Sequence, residues 1–181
     1  MSNLLRAPLE FIEKRTTVTG KIQLLFMRGA HPTIIGSDIL IDPSKTEIVN
    51  SFSDHNLVVD EGRLVLNQVM AGEIPADPIT TFCTGTGGYI GEPDSRFPPN
   101  QPLGTDVDLY IPLFSKQIAS LDHPNFLATT FITIVEEDES NGNLTEFGLK
   151  TASGRLFARR TTKPMFKGED VFFVCRWTTQ Y

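Results

Sequence analysis

The stretch VFFVCRWTT, residues 171–179, decides the fold class of this chain. Its odd-numbered positions hold Val, Phe, Cys and Trp, and its even-numbered positions include Arg and Thr. A period of two places alternate side chains on opposite faces of a β-strand. We therefore expect a strand here, with Phe173, Cys175 and Trp177 facing the core. Phe131 or Phe147 should lie close to them.

Segments with strand patterns precede this stretch along most of the chain. Residues 21–28 form a nearly continuous apolar run, which is typical of a strand covered on both faces. A turn at His31-Pro32 predicts that residues 34–41 return alongside that strand. The remaining predicted strands are residues 46–52, 79–84, 107–114, 126–135, 144–149 and 155–160.

One helix is expected at about residues 60–72. Asp60 is placed to cap its first turn, apolar residues follow at helical spacing, and Gly72 is placed to end it. The prediction is therefore a mainly β protein, an antiparallel β-sandwich-like domain with one packed α-helix and extended arms and loops. This domain covers residues 20–181, follows an N-terminal arm at residues 1–19, and carries a Pro-rich loop at residues 91–104.

Composition narrows the classes of function. The 181 residues suffice for one domain, and the net charge of −6 argues against direct nucleic-acid binding, which depends on neutralising phosphates. No run approaches the roughly 20 apolar residues of a membrane-spanning helix, so we expect no membrane partner. Cys83 and Cys175 lie in apolar runs and are expected to be buried free thiols.

Motifs that carry chemistry are weak. The turn Gly85-Thr86-Gly87-Gly88 lacks the lysine and helix of a phosphate loop, so we interpret it as a tight turn at a strand end. The acidic run at residues 136–139 lacks the alternation of a calcium loop and is interpreted as a solvated hairpin end, with Asn141-Gly142 as its turn. The three histidines have no ligand spacing. We therefore predict no catalytic residue, no cofactor and no metal site.

Two regions are candidates for subunit contact. The Pro-rich loop carries an aromatic residue on a semi-rigid segment, and the N-terminal arm carries a short apolar patch. Arg159 and Arg160 are neighbours in a predicted strand and point to opposite faces, so one of them should meet solvent or a partner. The predicted interface residues are Phe11, Arg96, Phe97, Pro98, Pro99 and Arg160.

From residue 57 onward the order of features resembles a family of tailed-bacteriophage tail and collar proteins. The resemblance begins with LVVDEGR at residues 57–63, a strand that opens into a helix, and continues with the Gly-Thr-Gly turn that ends residues 79–88. It extends through EFGL at residues 146–149, GRLFAR at residues 154–159, and the closing aromatic strand at residues 171–177. The patterns are short, and their order and spacing carry the resemblance.

The resemblance implies a non-enzymatic structural subunit of the virion, assembled in the host cytoplasm. Such a subunit forms part of a ring or collar in the neck, tail or baseplate region, and its partners are copies of itself and other phage tail or neck proteins. The alternative is a carbohydrate- or receptor-binding β-sandwich module. Aromatic side chains can stack on sugars, and the candidates in this chain are Tyr89, Phe97, Tyr110 and Trp177. An enzyme that degrades cell-wall polysaccharide is a third hypothesis, although no acid/base pair stands out.

Overall fold

A computed structural model describes residues 18–89 and 96–181. Most of these residues lie in antiparallel strands, and one helix, α1, covers Asp60–Met70. The strands are β1 (Thr19–Gly29), β2 (Thr33–Ile35), β3 (Asp38–Leu40), β4 (Thr46–Val58), β5 (Ile79–Gly85), β6 (Pro112–Gln117), β7 (Ser120–Asn125), β8 (Ala128–Val135), β9 (Gly142–Thr151), β10 (Leu156–Lys167) and β11 (Phe172–Gln180). The mainly β, sandwich-like class with one helix is confirmed.

Nine strands form one sheet in the order β6-β5-β9-β10-β4-β1-β11-β8-β7. The sheet curls so that two halves face each other. We call these the β11 half (β4, β1, β11, β8 and β7) and the β9 half (β6, β5, β9, β10 and the end of β4). Strand β4 belongs to both halves, because it pairs with β1 along most of its length and with β10 at Leu57 and Val58.

A second crossing joins the halves at the opposite side of the sheet. Strand β6 pairs with β5, and β7, which follows after two residues, pairs with β8. At the bend between them, Ile118 N–H donates to Thr80 O and Ala119 N–H donates to Ile132 O, each at 2.9 Å. Strands that change partners at bends are the usual corners of packed sheets.

The core lies between the two halves. Phe173 and Trp177 on β11 meet Phe82 on β5, with ring centroids 6.1 and 6.5 Å apart, and Phe147 on β9 lies 6.4 Å from Phe173. Trp177 is fully buried and pairs with Phe131 on β8. The alternation predicted from residues 171–179 is therefore confirmed.

Helix α1 packs against β10 through its first turns. Gly62 is buried, and a Cβ there would lie 2.3 Å from the Phe157 carbonyl oxygen, so only glycine allows this approach. Gly72, with φ of +70°, follows the helix as predicted. The predicted cap is wrong: Val59 occupies the N-cap position without a side-chain hydrogen bond, and Asp60 is the first helical residue.

Other predicted elements need correction. Residues 34–41 do not return beside β1; they contain β3 and most of β2, which form a separate two-stranded ribbon that turns at Gly36, where φ is +57°. Strand β6 begins only at Pro112, and β7 was not predicted. Residues 136–139 do not end a hairpin, because β8 pairs with β11 and β7 whereas β9 pairs with β10 and β5.

In the described ranges, the helical structure is too short to cross a membrane. The N-terminal arm predicted at residues 1–19 lies almost entirely outside the described residues. Of the Pro-rich loop at residues 91–104, the described part, residues 96–104, contains neither helix nor strand.

Candidate functional site

A buried carboxylate, Glu146 on β9, organises the outer face of the β9 half. Its Oε1 accepts hydrogen bonds from the backbone N–H groups of Gly87 and Ile111 at 3.0 and 2.8 Å. Its Oε2 accepts from Tyr110 N–H at 3.0 Å and from the Arg159 guanidinium at 2.6 Å. Four donors therefore surround a side chain that has no exposed surface.

Arg159 on β10 completes this ion network. It is fully buried and donates to Glu146 and, at 2.5 Å, to Asp106. The ring of Tyr110 lies 4.0 Å from the guanidinium carbon, which is cation–π distance. Burial alone would lower the pKa of Arg159, but the hydrogen bonds and charges of Glu146 and Asp106 outweigh it and raise that pKa. The arginine therefore stays charged inside the protein.

The turn that follows β5 closes onto Glu146. A Cβ at Gly85 would lie 2.4 Å from the Ile111 carbonyl oxygen, and a Cβ at Gly87 would lie 2.4 Å from Glu146 Oε1. Glycine is required at both positions because neighbouring groups approach the backbone so closely. The backbone bends directly after β5, at Thr86 and Gly88, and the Gly87 N–H binds the protein's own carboxylate.

The ion network fixes a long connection, residues 96–111, which we call the strap. Asp106 and Tyr110 tie its second half to Arg159 and Glu146. The first half is held by backbone groups: Asn100 N–H donates to Gly88 O at 2.7 Å, and Thr161 Oγ1 donates to Asn100 O at 2.7 Å. The strap is therefore anchored along its length.

The outward side of the strap and the start of β6 carry large apolar side chains. Six of these are between 47% and 73% exposed: Phe97, Leu103, Val107, Tyr110, Ile111 and Leu113. Isolated exposed apolar residues are normal, but large exposed patches mark interaction surfaces. We call these six residues the strap surface.

The predicted interface residues are only partly brought together. Phe11 lies outside the described residues. Arg96, Phe97 and Pro98 are exposed at the start of the strap, Pro99 is half-buried, and the Arg96 guanidinium lies 5.9 Å from the centre of the Phe97 ring.

Arg160 points away from Arg159, as expected for neighbours in a strand. It forms an ion pair with Asp54 on β4 and donates to Gln101 of the strap at 3.4 Å. The arrangement gives Arg160 a bond to the strap from the side opposite the buried network.

The acidic run is a docked loop with its own ion pairs. His31 Nε2 lies 3.3 Å from Glu136 and 3.6 Å from Glu137, and these three side chains have the types and spacing that can hold a metal ion. Two lysines also lie against the loop. Lys116 lies 2.6 Å from Glu139 and 3.7 Å from Glu136, and Lys167 donates to Glu137 O at 3.0 Å.

Several aromatics considered for sugar stacking are engaged elsewhere. Trp177 is fully buried, the Tyr110 ring lies against Arg159, and Tyr89 Oη donates to the Phe97 carbonyl at 3.3 Å. Trp177 is therefore closed to a ligand, whereas Phe97 and Tyr110 keep 60% and 54% of their surface exposed.

Sequence reasoning missed Glu146 and Asp106, and it placed neither in the same site as Arg159. Two features of the sequence could have indicated the site. One is the acidic residue within the otherwise apolar strand at residues 144–149, and the other is the pair of adjacent arginines in β10.

Comparison of the chain with family models, with curated proteins and with solved structures returned no match.

Proposed function

We propose that this chain is a non-enzymatic structural subunit of a tailed-bacteriophage particle. In this proposal it forms part of a ring or collar in the neck, tail or baseplate region, in contact with copies of itself and with other tail or neck proteins. The phage assignment depends on the ordered resemblance that begins at residue 57, and the assembly role depends on the strap surface.

The strap surface is the observation that carries the assembly role. Val107 is 73% exposed and Phe97 is 60% exposed, although both belong to a segment whose backbone is firmly held. Exposed apolar side chains gain free energy when a partner removes them from water, by about 25 cal/mol per Å². The strap surface therefore suits a contact that forms when subunits assemble.

The buried ion network adapts the strap to that role. Binding is weakened when flexible loops lose conformational freedom, and a loop held in place beforehand loses less. Asp106 and Tyr110 fix the strap before any partner arrives, and the prolines of its first half restrict the backbone further. Rings close through head-to-tail contacts, in which a surface of this kind meets a different surface of the neighbouring copy.

The chemistry of the network favours a structural role over catalysis. A general acid or base needs a proton-accepting atom that substrate can reach. Both oxygens of Glu146 already accept two hydrogen bonds each, and Arg159 has no exposed surface. This network therefore supports the strap rather than a reaction.

The test is the composition of the particle. Phage particles produced from a genome encoding this chain should contain it when purified particles are analysed by mass spectrometry. Val107→Glu should reduce its incorporation, because a charge at the most exposed residue of the strap surface opposes desolvation. Met70→Glu is the matched control, since Met70 is exposed on α1, outside the strap.

The two variants should differ in incorporation but not in stability. The Val107→Glu chain should keep its unfolding temperature while it fails to enter particles, and the Met70→Glu chain should enter normally. Absence of the unmodified protein from purified particles would exclude the virion role. Equal incorporation of both variants would exclude the strap surface as the contact.

A further inference from the structure

The outer face of the β11 half is divided into an apolar part and a polar part. The apolar part contains Met27, Ile132, Phe172 and Val174 and is covered by the β2–β3 ribbon, whose Ile34 and Ile39 pack against it. The polar part continues along the same strands beyond the ribbon. Its residues face outward because they alternate with core residues such as Ile22 and Trp177.

The polar part forms a groove of about 310 Å³, near the lower end of the range for ligand sites. It is lined by Ser37 at the ribbon tip, by Pro124 and Asn125 at the end of β7, and by residues of β1, β11 and β8. Its lining is mostly polar and includes Lys21, Gln23, Thr130, Arg176, Thr178 and Gln180.

Two cations in this groove have no carboxylate partner. Lys21 and Arg176 form no ion pair with any of the described residues, and Arg176 reaches only the Ser37 carbonyl at 3.4 Å. Within residues 18–89 and 96–181, most other cations are paired with carboxylates: Arg28, Lys45, Arg63, Lys116, Lys150, Arg155, Arg159 and Arg160. Unpaired charge within a groove is therefore unusual for this acidic protein.

The strand register brings the two cations together. Lys21 pairs with Thr178, and Gln23 pairs with Arg176, so Lys21 and Arg176 are diagonal neighbours on one face. Diagonal neighbours have backbone positions about 7–8 Å apart, which lets two long side chains approach one anionic group. Thr178 and Thr130 hydroxyls, 2.9 Å apart, lie beside them and add donors and acceptors.

We infer that this groove binds an acidic saccharide, with its oxyanion held between Lys21 and Arg176. A guanidinium and an ammonium favour carboxylate or phosphate oxygens, and arginine can form two parallel hydrogen bonds to either. The surrounding amides and hydroxyls of Gln23, Gln180 and Thr130 suit a polar, hydroxylated body. The carboxylate of a uronic acid and the phosphate of a sugar phosphate share this chemistry.

The experiment is a calorimetric titration of the whole chain at low salt with three probes. These are an oligogalacturonate, a glucose phosphate and a neutral gluco-oligosaccharide. At least one acidic probe should bind about tenfold or more tightly than the neutral one, the size expected for a charge-assisted contact. Which acidic probe binds identifies the oxyanion.

Arg176→Gln and Lys21→Gln should each weaken the acidic probe by about tenfold. Lys163→Gln is the matched control, because Lys163 is exposed, forms no ion pair with the described residues and lies outside the groove. All three side chains are outside the core, so unfolding temperatures should be unchanged. If Lys163→Gln weakens binding of the acidic probe equally, the effect comes from net charge and not from the groove. Acidic probes that bind no better than the neutral one would overturn the inference.

Discussion

Arg159 on β10 lies 2.6 Å from Glu146 on the neighbouring strand β9, and neither side chain has any exposed surface. A buried ion pair is costly to form, because two charges lose their hydration. The cost is offset here by three backbone N–H groups on Glu146 and by Asp106 on Arg159. The pair therefore joins the sheet to the strap as a single unit.

Replacing Arg159 should be strongly destabilising. Arg159→Leu leaves Glu146 and Asp106 without their cation, and breaking such a pair typically costs about 3–5 kcal/mol. Urea unfolding measures the loss. Arg63→Leu is the control, because Arg63 and Asp60 form an exposed pair and its loss should cost under about 1 kcal/mol. Similar losses for the two variants would contradict the account of the network.

Trp177 should contribute more to stability than any exposed aromatic. Trp177→Ala removes a fully buried side chain from the centre of the core, and the expected cost is about 3–5 kcal/mol. Phe126→Ala, at a side chain that is 94% exposed, should cost under about 0.5 kcal/mol. Chemical denaturation of both variants checks the difference, and a loss below about 1 kcal/mol for Trp177→Ala would refute it.

Gly62 should resist a change that usually favours helices. Alanine normally stabilises a helix interior relative to glycine by about 0.5–1 kcal/mol. At position 62, however, the new Cβ would lie 2.3 Å from the Phe157 carbonyl oxygen, so Gly62→Ala should lower the unfolding temperature. Asn67→Ala, on the exposed side of α1, should leave it unchanged or raise it. A more stable Gly62→Ala chain would show that α1 can move away from β10.

The two cysteines should be unreactive in the folded protein. Burial raises the pKa of Cys83 to about 12, and it raises the pKa of Cys175 well above its ordinary value. The reactive thiolate is therefore scarce at neutral pH, and solvent access is closed. Labelling with a thiol reagent should be slow in buffer and complete in denaturant. Rapid labelling of the native chain would argue against this burial.

Glu139 should make the protein sensitive to acid. Burial tends to raise the pKa of Glu139. The hydrogen bonds from Lys116 and from the Glu136 N–H, together with the charges of Lys116 and Lys167, outweigh burial and hold that pKa below the ordinary value of 4.5. A lowered folded-state pKa stabilises the fold above the ordinary value, and the contribution disappears as pH falls through the folded-state value. Glu139→Gln should therefore show a smaller loss of stability below about pH 4.5. Thermal unfolding from pH 7 to pH 3 measures both chains.

Local patterns predicted the elements whose formation is decided locally. The alternation around Trp177 and the stop at Gly72 depend on side-chain periodicity and on backbone conformation, which a sequence displays directly. The turn at residues 151–154 is likewise decided locally, and it joins β9 to β10 with Gly154 at φ of +87°.

Local sequence patterns do not predict which distant segments pair with each other. The acidic run looked like a hairpin end because β8 and β9 are adjacent in the sequence, yet they lie in different halves of the sheet. Glu146 looked like an ordinary polar position because its donors come from residues 87, 110 and 111. Such a site becomes visible only when the strand order is known.

The position of β1 between β4 and β11 determines when the protein can fold. Thr19 pairs with Gln180, so β1 lacks one neighbour until β11 has been synthesised. Until then the nascent chain exposes unpaired strand edges and has no Trp177 to fill its core, a state that invites aggregation. Folding dominated by such distant pairings is slow, on the order of milliseconds to seconds. The sheet should therefore be completed only once β11 has emerged from the ribosome.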